Sequence, residues 1–183
     1  MTIDDKTIIQ AIRGRTEVGF RLLMQKYKQP VYWHIRRLVV SHDDAQDATQ
    51  EAFIRIFRSF NQLKDGNSLK GWLFRIATNE ALRLIDSRKQ GQVSLEEKGN
   101  EAQRIMADCY FDYSNLEAVR LQKVILTLPT KQQVAFNLRY YNELSYEDIA
   151  EATGSTPSSA KMNYHIAKEK IIKYMKSNEN NYE

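Results

Sequence analysis

The chain has 183 residues, a formal net charge of +4 and 42% hydrophobic residues, enough apolar side chain to build cores in one large or two small domains. Seven glycines and three prolines leave few places for tight β-turns, and 27% charged residues favour a soluble, mostly helical protein. A single cysteine, Cys109, excludes an internal disulfide or a zinc cluster of several thiolates, and no apolar run approaches the roughly 20 residues of a membrane span.

The charge is unevenly placed. Residues 1–90 carry +6, residues 91–116 carry −3 and residues 117–183 carry +1. This suggests a basic module, an acidic connector and a nearly neutral second module. The start, MTIDDKTIIQ, is acidic and lacks the apolar stretch of a signal peptide. With the lone thiol, it points to a reducing, cytoplasmic setting.

In chain order, residues 4–13 and 16–40 read as two helices separated by Gly14. Phe20, Leu23, Met24, Tyr27, Val31, Ile35 and Leu38 recur at spacings of three and four, and Pro30 should kink the second helix or begin a new segment. Residues 41–60, SHDDAQDATQEAFIRIFRSF, form the clearest helix. Ser41 is its cap, acids crowd its start and Arg55 and Arg58 lie near its end, as the helix dipole favours. Ala48, Ala52, Phe53, Ile56, Phe57 and Phe60 supply its buried stripe. Its acidic face is either simply solvated or a docking face for a basic partner.

A loop with the turn pair Asp65-Gly66 leads to a long helix over about 68–88. Leu73, Ile76, Ala77, Leu84 and Ile85 are its core side. Arg75, Asn79, Arg83, Arg88 and Lys89 make a basic, amide-bearing side. That side is either solvated or a nucleic-acid surface, since phosphates need cations and an Asn amide reads an unstacked base edge. Residues 91–115 have no sustained period and read as a flexible linker. The helical period returns at 116–128, Pro129 breaks it, and Thr130 can cap a helix through Tyr141 that buries Val134, Ala135 and Leu138.

The stretch Leu144–Ile171 has the signals of a helix-turn-helix. Ser145 and Thr156 are caps, Gly154 suits a left-handed helix end, and Pro157 fits a first helical position. Ala160, Tyr164, Ala167 and Ile171 share one face of the second helix. Lys161, Met162, His165 and Lys168 lie largely on another, which would enter a major groove. An ordinary helical hairpin has the same signals.

Three stretches carry a family resemblance: DDAQDATQEAFIRIFRSF at 43–60, LKGWLFRIATNEALRLIDSRK at 69–89, and LPTKQQVAFNLRYYNELSYEDIAEATGSTPSSAKMNYHIAKEKI at 128–171. In this order they resemble a bacterial RNA polymerase sigma factor of the extracytoplasmic function (ECF) subfamily. The resemblance implies an all-α fold of two small helical domains, residues 1–90 and 116–177, joined by the linker 91–115 and followed by a tail at 178–183. It implies a polymerase-docking helix with Asp44, Asp47, Gln50, Glu51 and Arg55 as contacts. It implies a minus-ten segment that opens promoter DNA by catching a flipped base, with Asn79, Thr78 and Arg75 at that place and Arg83, Arg88 and Lys89 on phosphates. It also implies a minus-thirty-five reader. There the sequence departs from the family, whose recognition helix usually carries several arginines in its middle. Here Asn163 and His165 stand as base readers, and Lys161, Lys168 and Ser158 as phosphate contacts.

The implied partners are core RNA polymerase, promoter DNA and an anti-sigma factor, with no cofactor and no small-molecule substrate. Nothing suggests an enzyme. His42-Asp43-Asp44 is one histidine beside capping acids and not a metal ligand set, Cys109 has no activating histidine, and there is no Gly-rich phosphate loop. The main alternative is a self-sufficient helix-turn-helix regulator, which should bind a pseudo-palindrome alone. A helical enzyme or effector domain fused to a DNA reader is a weaker one.

Overall fold

The computed structural model describes residues 3–64, 68–91 and 116–179. They form eight α-helices and one 3₁₀ turn, and no strand is found among the described residues. The helices are α1 (Asp5–Gly14), α2 (Thr16–Val39), α3 (His42–Ser59), α4 (Leu69–Gly91), α5 (Leu116–Thr127), α6 (Thr130–Tyr140), α7 (Tyr146–Thr153) and α8 (Pro157–Glu179), and the turn is Phe60–Gln62. The fold is all-α, as expected. The expected linker, with Cys109, lies outside the described residues except for Gly91.

Helices α1 to α4 enclose one core. Ile8 and Ile12 of α1 meet Leu23, Tyr27, Val31 and Ile35 of α2, with Ala45, Ala52 and Ile56 of α3 and Leu73, Phe74 and Ala77 of α4. The apolar spacing of α2 is realised as expected, but Pro30 neither kinks α2 into a new element nor ends it. Pro30 is exposed, so water can satisfy the carbonyl its missing N–H leaves unpaired. Between α2 and α3, Val40 has a φ of 70° and the Ser41 amide donates to the Val39 carbonyl at 2.8 Å. This is a three-residue turn. It delivers Ser41 to the start of α3, where its hydroxyl accepts from the Asp44 amide.

Three further expectations needed correction. Phe57 is exposed, its ring resting on Phe20 at 4.7 Å between centroids. The stripe of α3 is too wide for the groove between α2 and α4 to cover all of it. Helix α4 runs three residues past Arg88. Thr130 is the first residue of α6 and not its cap, because extended Pro129 takes the capping position.

Helices α5 to α8 form the second unit, with its own small cluster of Val124, Ile125, Leu128, Phe136, Ala167 and Ile171. The helix-turn-helix follows the sequence signals closely. Ser145 Oγ accepts from the Asp148 amide at 3.0 Å, and Thr156 Oγ1 accepts from the Ser159 amide at 3.2 Å. Gly154 is left-handed at φ 61° and ψ 36°, a conformation in which a Cβ is strained.

The two units pack together. Val134, Ala135, Leu138, Leu144, Ile149, Ala152 and Ala160 belong to the same buried cluster as the core of α1–α4. Helix α7 lies on α4, and α6 approaches α2. Polar contacts fasten the seam. Lys70 Nζ donates to the Asn142 carbonyl, the Arg37 guanidinium lies 3.8 Å from the centre of the Tyr141 ring, and Gln122 Nε2 donates to the Arg37 carbonyl at 3.3 Å. Asp148 of α7 faces Gly71 of α4, where a Cβ would come within 2.8 Å of its carboxylate. The sequence had left the relation of the two units open.

Candidate nucleic-acid interface

Helix α4 presents the first candidate surface. Arg75, Asn79 and Arg83 recur every four residues, and all three are exposed. Beneath them Leu73, Phe74, Ala77 and Ala81 are fully buried. The stripe therefore stands on a helix that the core holds rigidly.

Thr78 is buried, at 1% exposure, and its hydroxyl is bonded to His34 Nε2 at 2.9 Å. It supports the stripe from below and is not part of its surface. The His34 ring meets Phe74 edge-on at 5.3 Å. Burial, with Arg37 nearby, lowers the His34 pKa to about 3, so the ring is neutral throughout the ordinary pH range. Among the described residues its Nδ1 has no hydrogen-bond partner.

Helix α3 carries the second surface. Asp47 and Gln50 are exposed, and Glu51 is half-buried. Asp44 and Arg55 are already engaged, Asp44 in an ion pair with Arg88 of α4. Arg55 Nε lies 2.6 Å from Glu80 Oε1 of α4 and 3.4 Å from Glu51 Oε1. Arg88 also reaches the Val39 carbonyl. The side chain of Lys89 lies outside the described residues.

The third surface is on α8. Ser158, Lys161, His165 and Lys168 are exposed, and Met162 stands among them at 64% exposure. Asn163 is half-buried, and its Nδ2 donates back to the Ser159 carbonyl at 3.0 Å. Tyr164 is stacked on Phe136, which is stacked on Tyr140. This ladder holds α8 against α6.

Sequence reasoning missed two residues that organise these surfaces. His34 gave no local signal, because its partner is 44 positions away. Glu80 gave half of one. Its i,i+3 pairing with Arg83 was readable, but its pairing with Arg55 depends on how α3 and α4 pack. Among the described residues no group of three or more His, Cys, Asp or Glu side chains comes together as a metal set. His42 Nδ1 is hydrogen-bonded to the Tyr32 hydroxyl at 2.7 Å. No helix among the described residues is long and apolar enough to cross a membrane.

Comparison with known proteins agrees with this layout. Residues 23–91 match the Sigma-70 region 2 family, and residues 118–171 match the family described as Sigma-70, region 4. The chain is 31% identical over 159 residues to the ECF RNA polymerase sigma factor SigE of Mycolicibacterium smegmatis, covering 84% of this chain and 60% of that relative. It is 27% identical over 180 residues to the ECF RNA polymerase sigma factor SigW of Bacillus subtilis, covering 93% of this chain and 96% of the relative. In fold it is similar to CnrH, solved with the cytosolic domain of CnrY, with a TM-score of 0.72 at 15% identity, covering 94% of this chain and 97% of that one. It is also similar to the sigma factor RpoE of Bartonella quintana, solved with the anti-sigma factor NepR, with a TM-score of 0.67 at 23% identity, covering 86% and 96%. With both sigma-70 regions matched in order on an all-helical fold, the chain belongs to the ECF sigma factors, which serve transcription initiation.

Proposed function

We propose that this sigma factor docks on core RNA polymerase through α3, grips the minus-ten promoter element through α4 and the minus-thirty-five element through α8, and helps open the DNA between them and the start site. The observation that carries this reading is the exposed stripe Arg75, Asn79 and Arg83 on a helix anchored by a fully buried face. Unstacking a base costs a few kcal/mol, so a rigid amide that bonds the flipped base edge, flanked by cations for the phosphates, holds the open state at the expense of the duplex. Thr78, tied to His34, sets the turn of α4 on which Asn79 stands.

In this reading Asp44, Asp47, Gln50, Glu51 and Arg55 form the docking face, and Arg88 and Lys89 extend the phosphate contacts of α4. Ser158, Lys161 and Lys168 hold phosphates in the minus-thirty-five groove. His165 and Asn163 read bases there, Asn163 after giving up its bond to Ser159. Residues 1–90 and 116–177 are the two working modules, and the protein acts in the cytoplasm. It performs no covalent chemistry and lends promoter choice to the polymerase. CnrH and the Bartonella RpoE were each solved with a bound partner, in the second case named an anti-sigma factor. An anti-sigma factor is the corresponding partner here.

The test is reconstitution with core polymerase on genomic templates, followed by sequencing of transcript starts. Starts that share two upstream elements at fixed spacing are expected. Tight binding of the isolated protein to a palindrome, with no promoter-specific initiation, would favour a self-sufficient regulator and sink this reading.

A further inference from the structure

Helices α3 and α4 run antiparallel and are tied at two levels. Near the start of α3, Asp44 pairs with Arg88. Near its end, Arg55 pairs with Glu80. The second tie is the more unusual, because Glu80 is only 4% exposed and both of its oxygens are used. Oε1 takes Arg55 Nε and Oε2 takes Arg83 Nη2, each at 2.6 Å. The two arginines are 45% and 58% exposed, so their outer faces stay open to other partners. A buried carboxylate is tolerable only with such partners. A solvated glutamate anywhere on α4 would serve helix formation equally well, so neither propensity nor solubility explains this arrangement.

The two arginines belong to different surfaces of the proposed function, Arg55 to the docking face and Arg83 to the promoter stripe. A free arginine carries rotamer entropy that binding must remove. One held in advance loses less when it meets its target. The geometry points to Glu80 as a positioning residue for both surfaces. One buried carboxylate, next in sequence to Asn79, orients Arg83 for promoter phosphate and Arg55 for the polymerase. This rests on the reading of α3 and α4 given above.

The test is a pair of double-mutant cycles on the full chain. Glu80→Gln keeps the shape of the side chain but removes the charge that gathers both cations. It should weaken holoenzyme binding to a single-stranded minus-ten oligonucleotide about five- to tenfold, the scale of one compromised charge-assisted bond, and weaken core polymerase binding by a similar factor. In an Arg83→Ala background the oligonucleotide effect of Glu80→Gln should fall below about twofold, and in an Arg55→Ala background so should the polymerase effect. A carboxylate that only stabilised the fold would show its full loss in both backgrounds, and that result overturns the proposal, as does an unchanged pair of affinities in the single variant. If Glu80→Gln fails to fold, Glu80→Asp replaces it. It keeps the charge but withdraws the carboxylate by one methylene, and it should weaken both affinities, each only while the matching arginine is present; unchanged affinities, or losses that persist without that arginine, overturn the proposal. Wild-type protein that binds neither polymerase nor oligonucleotide overturns the functional reading together with this inference.

Discussion

Asp148 of the helix-turn-helix occupies the space that a side chain at Gly71 would need: a Cβ there would lie 2.8 Å from Asp148 Oδ1 and 3.3 Å from its Cβ and Cγ. The absence of a side chain at one position of α4 thus lets α7 seat against it. Replacing Gly71 with leucine should force the two units apart while sparing each of them, since the helix around position 71 gains propensity. Small-angle scattering should show a larger radius of gyration with the helical circular dichroism unchanged. An unaltered radius would mean that the seam adapts and that Gly71 is not what permits it.

His34 predicts a pH dependence of stability. The folded protein resists protonating this ring until about pH 3, whereas the unfolded chain takes the proton near 6.5. Between those values the unfolded state binds more protons, so stability falls as pH falls below 6.5. At about 1.4 kcal/mol per pH unit, the loss between pH 6.5 and 5 is about 2 kcal/mol. Urea melts at the two pH values measure it. His34→Gln, which can still reach Thr78 but does not titrate, should flatten the difference. If the slope is the same in the variant, other groups set it.

The two surfaces of the first unit should separate by mutation. Asn79→Ala should reduce open-complex formation about tenfold, the equivalent of one lost base-edge hydrogen bond, and leave polymerase affinity within about twofold. Asp47→Arg should do the reverse, because it places a cation on an exposed part of the proposed docking face. Permanganate footprinting and a polymerase binding titration distinguish the two. Unchanged affinity in Asp47→Arg would show that the docking face lies elsewhere.

Gly154 carries a backbone prediction. At φ 61° its conformation costs a residue with a Cβ about 1 kcal/mol. Among the described residues nothing lies within 4 Å of a Cβ there, so the penalty is backbone strain. Gly154→Ala should lower unfolding stability by that amount, and Gly154→Asn by less, because asparagine tolerates the left-handed region. Equal values for the two variants would argue that the turn has another conformation in solution.

Much of the fold was readable from local signals. Ser41, Ser145, Thr156, Pro157 and Gly154 each act on their own backbone within three residues, so they behaved as their residue types suggest. The exposed stripes of α4 and α8 were likewise legible, because helical spacing determines which side chains share a face. What could not be read depends on packing between helices distant in sequence. Thr78 looks like a neighbour of Asn79 in sequence, yet a helix turns its side chain about 100° away, into contact with His34. Phe57 belongs to the apolar stripe of α3 but lies beyond the groove that covers it. Arg55 and Arg88 appeared as free surface charges until α3 and α4 were placed side by side.

The seating of α7 on α4 has a consequence of scale. The minus-ten and minus-thirty-five elements are about 25 base pairs apart by their names, or roughly 85 Å at 3.4 Å per step of duplex. A compact chain of this length has a radius of gyration of about 16 Å and so spans only about 40 Å. With the units packed as they are, α8 and the stripe on α4 cannot reach both elements of one promoter at once. Engaging both, as the proposed function requires, means giving up the Lys70–Asn142 and Arg37–Tyr141 contacts. On the proposed function, the seam between the units is therefore a set of contacts that engaging both promoter elements at once must overcome.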